Sequence, residues 1–115
     1  MKLITPSSAD YSALINIWED SVVATHHFLT ASDIARLKHL ILEHYFDAVS
    51  LQCAVDSSND IVGFVGISDD NIEMLFVAPQ VSRQGIGKAL MQWAFSKKIT
   101  KVDVNEQNPN ALAFY

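Results

Sequence analysis

The stretch Glu73-Met74-Leu75-Phe76-Val77-Ala78-Pro79-Gln80-Val81-Ser82-Arg83-Gln84-Gly85-Ile86-Gly87-Lys88-Ala89-Leu90 decides how this chain is read. Its first five residues are apolar apart from Glu73, which suits a strand, and Pro79 stops that strand. Two glycines spaced by one residue follow. Beyond them Ile86, Leu90, Trp93 and Ala94 recur at helical spacing, with Lys88, Gln92 and Ser96 on the opposite side. A strand that delivers the chain to a helix start leaves backbone N–H groups and the positive end of the helix dipole facing the loop. That arrangement favours an anion, a phosphate group above all.

Toward the N-terminus the pattern predicts further strands. Residues 51–55 and 61–67 flank Asp56-Ser57-Ser58-Asn59-Asp60, a turn-rich connection of hairpin length, and Ser68-Asp69-Asp70-Asn71 leads into a third strand at 72–77. Three strands joined by short turns make an antiparallel meander. Gly63 and Gly66 lie within the second strand and predict a bulge or a close backbone approach. Before the meander, Tyr11, Leu14, Ile15 and Trp18 form the stripe of an amphipathic helix that ends near Asp20 or Ser21. Ile34, Leu37, Leu40, Ile41 and Tyr45 form the stripe of a second, capped by Thr30 or Ser32. Residues 2–4 predict a short first strand. After the glycine loop and its helix, residues 99–104 predict a strand reached through a helical crossover and therefore parallel to its predecessor. Asn108 suits an N-cap and Pro109 the first position of a last helix that runs into Ala111, Leu112, Ala113, Phe114 and Tyr115.

With 115 residues, half of them hydrophobic, the expectation is a single domain spanning 1–115, of mixed α/β class, with its own core. The net charge of −5, with eight scattered Lys and Arg, argues against a nucleic-acid partner, which requires a basic face. Cys53 is the only cysteine; it sits in an apolar run and reads as a small buried hydrophobe. No stretch approaches the ~20 apolar residues of a membrane span, and the N-terminus lacks a signal-peptide core, so a cytoplasmic protein without membrane attachment is expected. His26 and His27 are adjacent, which seldom lets two side chains converge on one ion, and His39 and His44 share a helix face poorly. No metal is expected.

Three readings of the glycine loop compete. A Walker loop would need glycine at Ser82 and a hydroxyl at Ala89, and fails at both. A dinucleotide fingerprint would need a third glycine at Leu90 and parallel strands before it, and the strands before it are antiparallel. In the third reading the chain resembles the GNAT superfamily of N-acyltransferases along its whole length. The element order is similar to that fold up to its last two strands, Ser82-Arg83-Gln84-Gly85-Ile86-Gly87 resembles the family's Gln/Arg-x-x-Gly-x-Gly/Ala cofactor motif, and residues 105–115 resemble its Asn-x-x-Ala-x-x-Phe-Tyr signature. Two departures stand out: Ser82 occupies the place of Gln or Arg, and the two closing strands do not follow Tyr115. On that count the expected domain is incomplete at its C-terminus. The strand at 99–104 would then carry an open edge, for which a homodimer is the expected cover.

The resemblance implies acetyl-CoA as donor, a small-molecule or peptide primary amine as acceptor, and direct transfer between them. It implies a cofactor site at Ser82, Arg83, Gln84, Gly85, Ile86, Gly87 and Lys88, joined by Leu75, Phe76 and Val77 on the preceding strand and by Asn108. It further implies Glu73 as the base that frees the amine, Tyr115 as the acid for the leaving thiolate, and Thr25, His26, His27 and Phe28 as acceptor contacts. The rival expectation is an inactive acyl-CoA-binding or interaction module.

Overall fold

The computed structural model describes residues 1–25, 29–68, 71–81, 85–97 and 101–102. Among these described residues five strands lie in one sheet in chain order: β1 (Lys2–Ile4), β2 (Ser50–Val55), β3 (Ile61–Ser68), β4 (Asn71–Val77) and β5 (Lys101–Val102). The first four are antiparallel neighbours, and β5 joins β4 in parallel, pairing Asn71 with Lys101 and Ile72 with Val102. The meander and the parallel return therefore stand as the spacing predicts. The remainder of the predicted strand 99–104 and of the helix at 111–115 lies outside the described residues.

Helices cover both faces. On one lie α1 (Tyr11–Thr25) and α2 (Ala31–Leu40); α2 continues through a π-helical turn, Ile41–Tyr45, into the short α3 (Phe46–Ala48). On the other lies α4 (Ile86–Ser96). The first core holds Leu14, Trp18, Ile41, Phe46, Cys53 and Phe64. Phe64 is fully buried, edge-on to Phe46 at 5.7 Å and tilted against Phe76 at 5.8 Å. The second core packs Val65, Ile72 and Leu75 against Ile86, Leu90, Met91 and Ala94 of α4.

Two boundaries differ from the periodicity. Helix α1 runs to Thr25 instead of ending near Ser21, because Val22 is drawn into the first core one turn beyond Trp18. The second stripe is one continuous helical run, but it changes to a wider π turn in which the Phe46 N–H bonds to the Ile41 carbonyl. The start of α2 follows the capping chemistry: Thr30 and Asp33 exchange backbone-to-side-chain bonds, each at 3.1 Å.

Both glycines of β3 make close approaches. A Cβ on Gly63 would lie 3.1 Å from a methyl of Ile86, so this glycine lets α4 settle onto the sheet. A Cβ on Gly66 would lie 2.9 Å from a methyl of Val49. Beside Gly66 the β3–β4 register slips, because Gly66 faces Met74 while Ile67 faces Ile72. Glu73 is the extra residue of that bulge.

Candidate active site

The bulge decides where Glu73 points. Along β4, Leu75 and Val77 belong to the α4 face, and Met74 and Phe76 to the α1–α2 face. Regular alternation would send Glu73 to the α4 face, under the helix. One inserted residue resets the alternation, so Ile72 is buried against α4 while Glu73 stands with Met74 on the other face. There both line a cleft of about 440 Å³. Trp18 of α1, Leu37 of α2, and Ile41 and Tyr45 of the π turn form its opposite wall. Glu73 is the only charged residue among the described residues that line it. Its side chain is exposed, and its Oε1 accepts a 3.0 Å hydrogen bond from the side-chain amide of Asn71.

The backbone of β4 has a definite phase. The Ala78 N–H donates to the Val62 carbonyl at 2.8 Å, which makes 62 and 78 a hydrogen-bonded pair. Opposed residues in an antiparallel ladder alternate between bonded and non-bonded pairs. Gly63–Val77 and Val65–Leu75 are consequently non-bonded pairs. The N–H and C=O groups of Leu75 and Val77 therefore point away from β3, toward the side on which β5 joins. Among the described residues β5 pairs only with Asn71 and Ile72.

A 3₁₀ turn, Pro79–Val81, carries the chain from β4 toward α4. Gly85 is the N-cap of α4, with φ +82°, the left-handed region that favours glycine. A Cβ there would meet nothing within 4 Å, so conformation rather than space calls for glycine. The first helical bond runs from the Ala89 N–H to the Gly85 carbonyl at 3.0 Å. The amides of Ile86, Gly87 and Lys88 thus precede the first helical donor, the Ala89 N–H, and form the open donor end of the helix. No acidic side chain occupies that first turn, and the Lys88 side chain is exposed beside it. An anion would meet amide donors and a cation there, with no carboxylate in the first turn of the helix.

A sequence model described as the acetyltransferase (GNAT) domain matches residues 47–115, more than half of the chain. The chain belongs to the GNAT acetyltransferase family. The peptidyl-lysine N-acetyltransferase YjaB of Salmonella typhimurium is 38% identical over 103 residues, spanning 89% of this chain and 70% of that relative. The peptidyl-lysine N-acetyltransferase YiaC of Escherichia coli is 28% identical over 109 residues, spanning 93% and 74%. The solution structure of apo YjaB from Escherichia coli has a TM-score of 0.86 at 33% identity and covers 99% of this chain and 78% of that one. The PaiA N-acetyltransferase of Thermoplasma acidophilum, solved in complex with coenzyme A, shares the fold, with a TM-score of 0.78 at 18% identity over 99% and 85% of the two chains.

In this GNAT acetyltransferase the anticipated residues fall into three groups. Glu73, Leu75, Phe76 and Val77 come together on β4: the first lines the cleft, the main chains of Leu75 and Val77 face the β5 side, and the Phe76 ring packs on Phe64 at the cleft floor. Gly85, Ile86, Gly87 and Lys88 come together at the start of α4, where Ile86 and Gly87 are buried. Ser82, Arg83, Gln84, His26, His27, Phe28, Asn108 and Tyr115 lie outside the described residues, and Thr25 closes α1. Spacing alone does not announce the cleft wall of Trp18, Leu37, Ile41 and Tyr45, because those residues read as ordinary helix stripes. Among the described residues no group of three or more His, Cys, Asp or Glu could hold a metal ion. Nor is any described helix long and apolar enough to cross a membrane. Cys53 is fully buried, and burial, with a smaller contribution from Asp10, pushes its thiol up to about 11, far from a nucleophile's range.

Proposed function

We propose that this chain transfers the acetyl group of acetyl-CoA directly to a primary amine, of which a lysine side chain is the best-supported class. The observation that carries this reading is the double use of β4. Its bulge turns one carboxylate into an apolar cleft, while its next residues offer main-chain donors on the β5 side, just ahead of a glycine-capped helix start. The amides of Ile86, Gly87 and Lys88 suit the pyrophosphate, and the edge of Leu75 and Val77 suits the extended pantetheine arm. When bound, acetyl-CoA supplies an acetyl group activated as a thioester.

The residues of the chain then have distinct tasks. A lysine-like amine has a pKa near ~10.4 and is almost wholly protonated at neutral pH, so it has no lone pair with which to attack. Glu73 removes that proton, directly or through one water, as a general base worth roughly 10²–10⁴ in rate. Main-chain N–H groups of β4 stabilise negative charge on the thioester oxygen as the C–N bond forms and the C–S bond breaks. Tyr115 returns a proton to the departing thiolate. The apolar wall of Trp18, Leu37 and Ile41 suits the alkyl stem of the acceptor. The names of YjaB and YiaC support a peptidyl lysine as that acceptor.

Calorimetry with acetyl-CoA, followed by release of free CoA thiol with lysine peptides and small amines, tests this reading. Heat of binding with thiol release that depends on the amine is the expected result. Binding without turnover on any amine would leave the inactive acyl-CoA-binding module, and no heat at millimolar acetyl-CoA would remove both.

A further inference from the structure

Ser21 lies in the apolar stripe of α1, one turn beyond Trp18, and is 7% exposed. Its hydroxyl donates to the Val77 carbonyl at 2.9 Å. The same peptide unit is held from the other side, because the Ala78 N–H donates to the Val62 carbonyl at 2.8 Å. The 77–78 peptide plane is therefore clamped between α1 and β3. One residue later Pro79 begins the turn toward Gly85, and Val81 N–H bonds back to the Ala78 carbonyl at 3.0 Å. This plane is where the strand edge ends and the anion loop departs.

We propose that Ser21 is a positioning residue for the acyl-CoA arm: through Val77 it sets the plane of the β4 edge along which that arm runs. The proposal rests on the acetyl-CoA reading above. A buried serine on a helix stripe gains little by packing, having almost no apolar surface to bury. Its hydroxyl meets a carbonyl that belongs to a non-bonded ladder position and has no acceptor role toward β3. Without the hydroxyl, the 77–78 peptide plane loses its tether to α1 and keeps its bond to β3, so the end of the strand edge is set less firmly. A pre-set edge lowers the ordering cost of binding, so the effect falls on the arm and not on the nucleotide end, which meets the helix start.

The test compares Ser21→Thr with Ser21→Val, two side chains of nearly equal volume of which only threonine keeps the hydroxyl. Each variant and the parent are titrated with acetyl-CoA and with adenosine 3′,5′-bisphosphate, which lacks the arm. Acetyl-CoA is expected to bind about tenfold more weakly to the valine variant than to the threonine variant, the loss of roughly one neutral hydrogen bond, with the bisphosphate unchanged across all three. Equal acetyl-CoA affinity in the two variants overturns the proposal, as does an equal loss for both ligands, which marks a general structural role. Should the added methyl prevent folding, Ser21→Ala is compared with the parent instead: a loss confined to acetyl-CoA supports the proposal, and no loss or an equal loss for both ligands overturns it. A parent chain that binds the bisphosphate but not acetyl-CoA overturns the Ser21 role, and one that binds neither overturns the acetyl-CoA reading with it.

Discussion

Glu73 and Met74 are sequence neighbours on a strand, yet they face the same cleft, because Glu73 is the inserted residue of the bulge opposite Gly66. That single irregularity separates a carboxylate pressed beneath α4 from one available to an incoming amine.

Replacing Glu73 by glutamine is therefore expected to lower kcat/KM for a lysine peptide by about 10²-fold at neutral pH. Glu73 is exposed, so the thermal midpoint should barely move. The deficit should shrink as pH rises toward ~10.4, where the amine loses its proton unaided. A pH–rate profile of CoA release checks this; a deficit constant across pH would argue against a base at this position.

Gly66, beside the bulge, leaves no room for a side chain against Val49. A Cβ on Gly66 would stand 2.9 Å from the Val49 Cγ2, and a β-branched side chain cannot swing its methyl aside cheaply. Gly66→Ala should destabilise the fold by about 1–3 kcal/mol. Adding Val49→Ala should recover part of that loss. Urea denaturation of the four members of the cycle measures the coupling.

Gly85 carries a different kind of constraint. Its φ of +82° costs an alanine about 1–2 kcal/mol, although space around it is open. Gly85→Ala should lower stability by that amount and weaken acetyl-CoA binding, and Gly85→Asn should lose less of both, since asparagine enters the left-handed region more readily. Parallel denaturation and calorimetry distinguish this from a steric effect, which would penalise the larger asparagine more.

Cys53 makes a prediction about pH. Burial raises its thiol from the ordinary value of 9.0 to about 11 in the folded chain. A group whose folded pKa is raised contributes stability that is fully present below the unfolded value and is lost as pH rises through the folded one. Stability should fall between about pH 9 and pH 11 more steeply in the parent than in Cys53→Ala, compared on the slope alone. A thiol reagent at pH 8 should label Cys53 only at the rate of unfolding.

Much of this was legible locally. The strand run before Pro79, the hairpin residues 56–60 and the stripes of α1 and α4 each express a short-range preference, so spacing alone places them; the cap of α2, open between Thr30 and Ser32 in the sequence, is Thr30 in the structure. The end of α1 was not legible, because Val22 continues the helix for a tertiary reason, burial in the core. The π turn at Ile41–Tyr45 was not legible either, as its residues satisfy an α-helical stripe equally well. Ser21 stood at the predicted end of α1, and only the fold shows that it lies within the helix and that its acceptor is a carbonyl 56 residues away.

By itself, then, the amino-acid sequence determined the order of elements, the antiparallel meander, the parallel return and the glycine-led helix start, together with the family resemblance these carry. These are matters of period, turn chemistry and backbone freedom, which act over a few residues. Only the tertiary structure decided that Glu73 faces the cleft, that Leu75 and Val77 turn their main chains outward, and that Ser21 clamps the strand end. Each depends on register and on contacts between distant segments, and a shift of one residue in register exchanges the two faces of a strand.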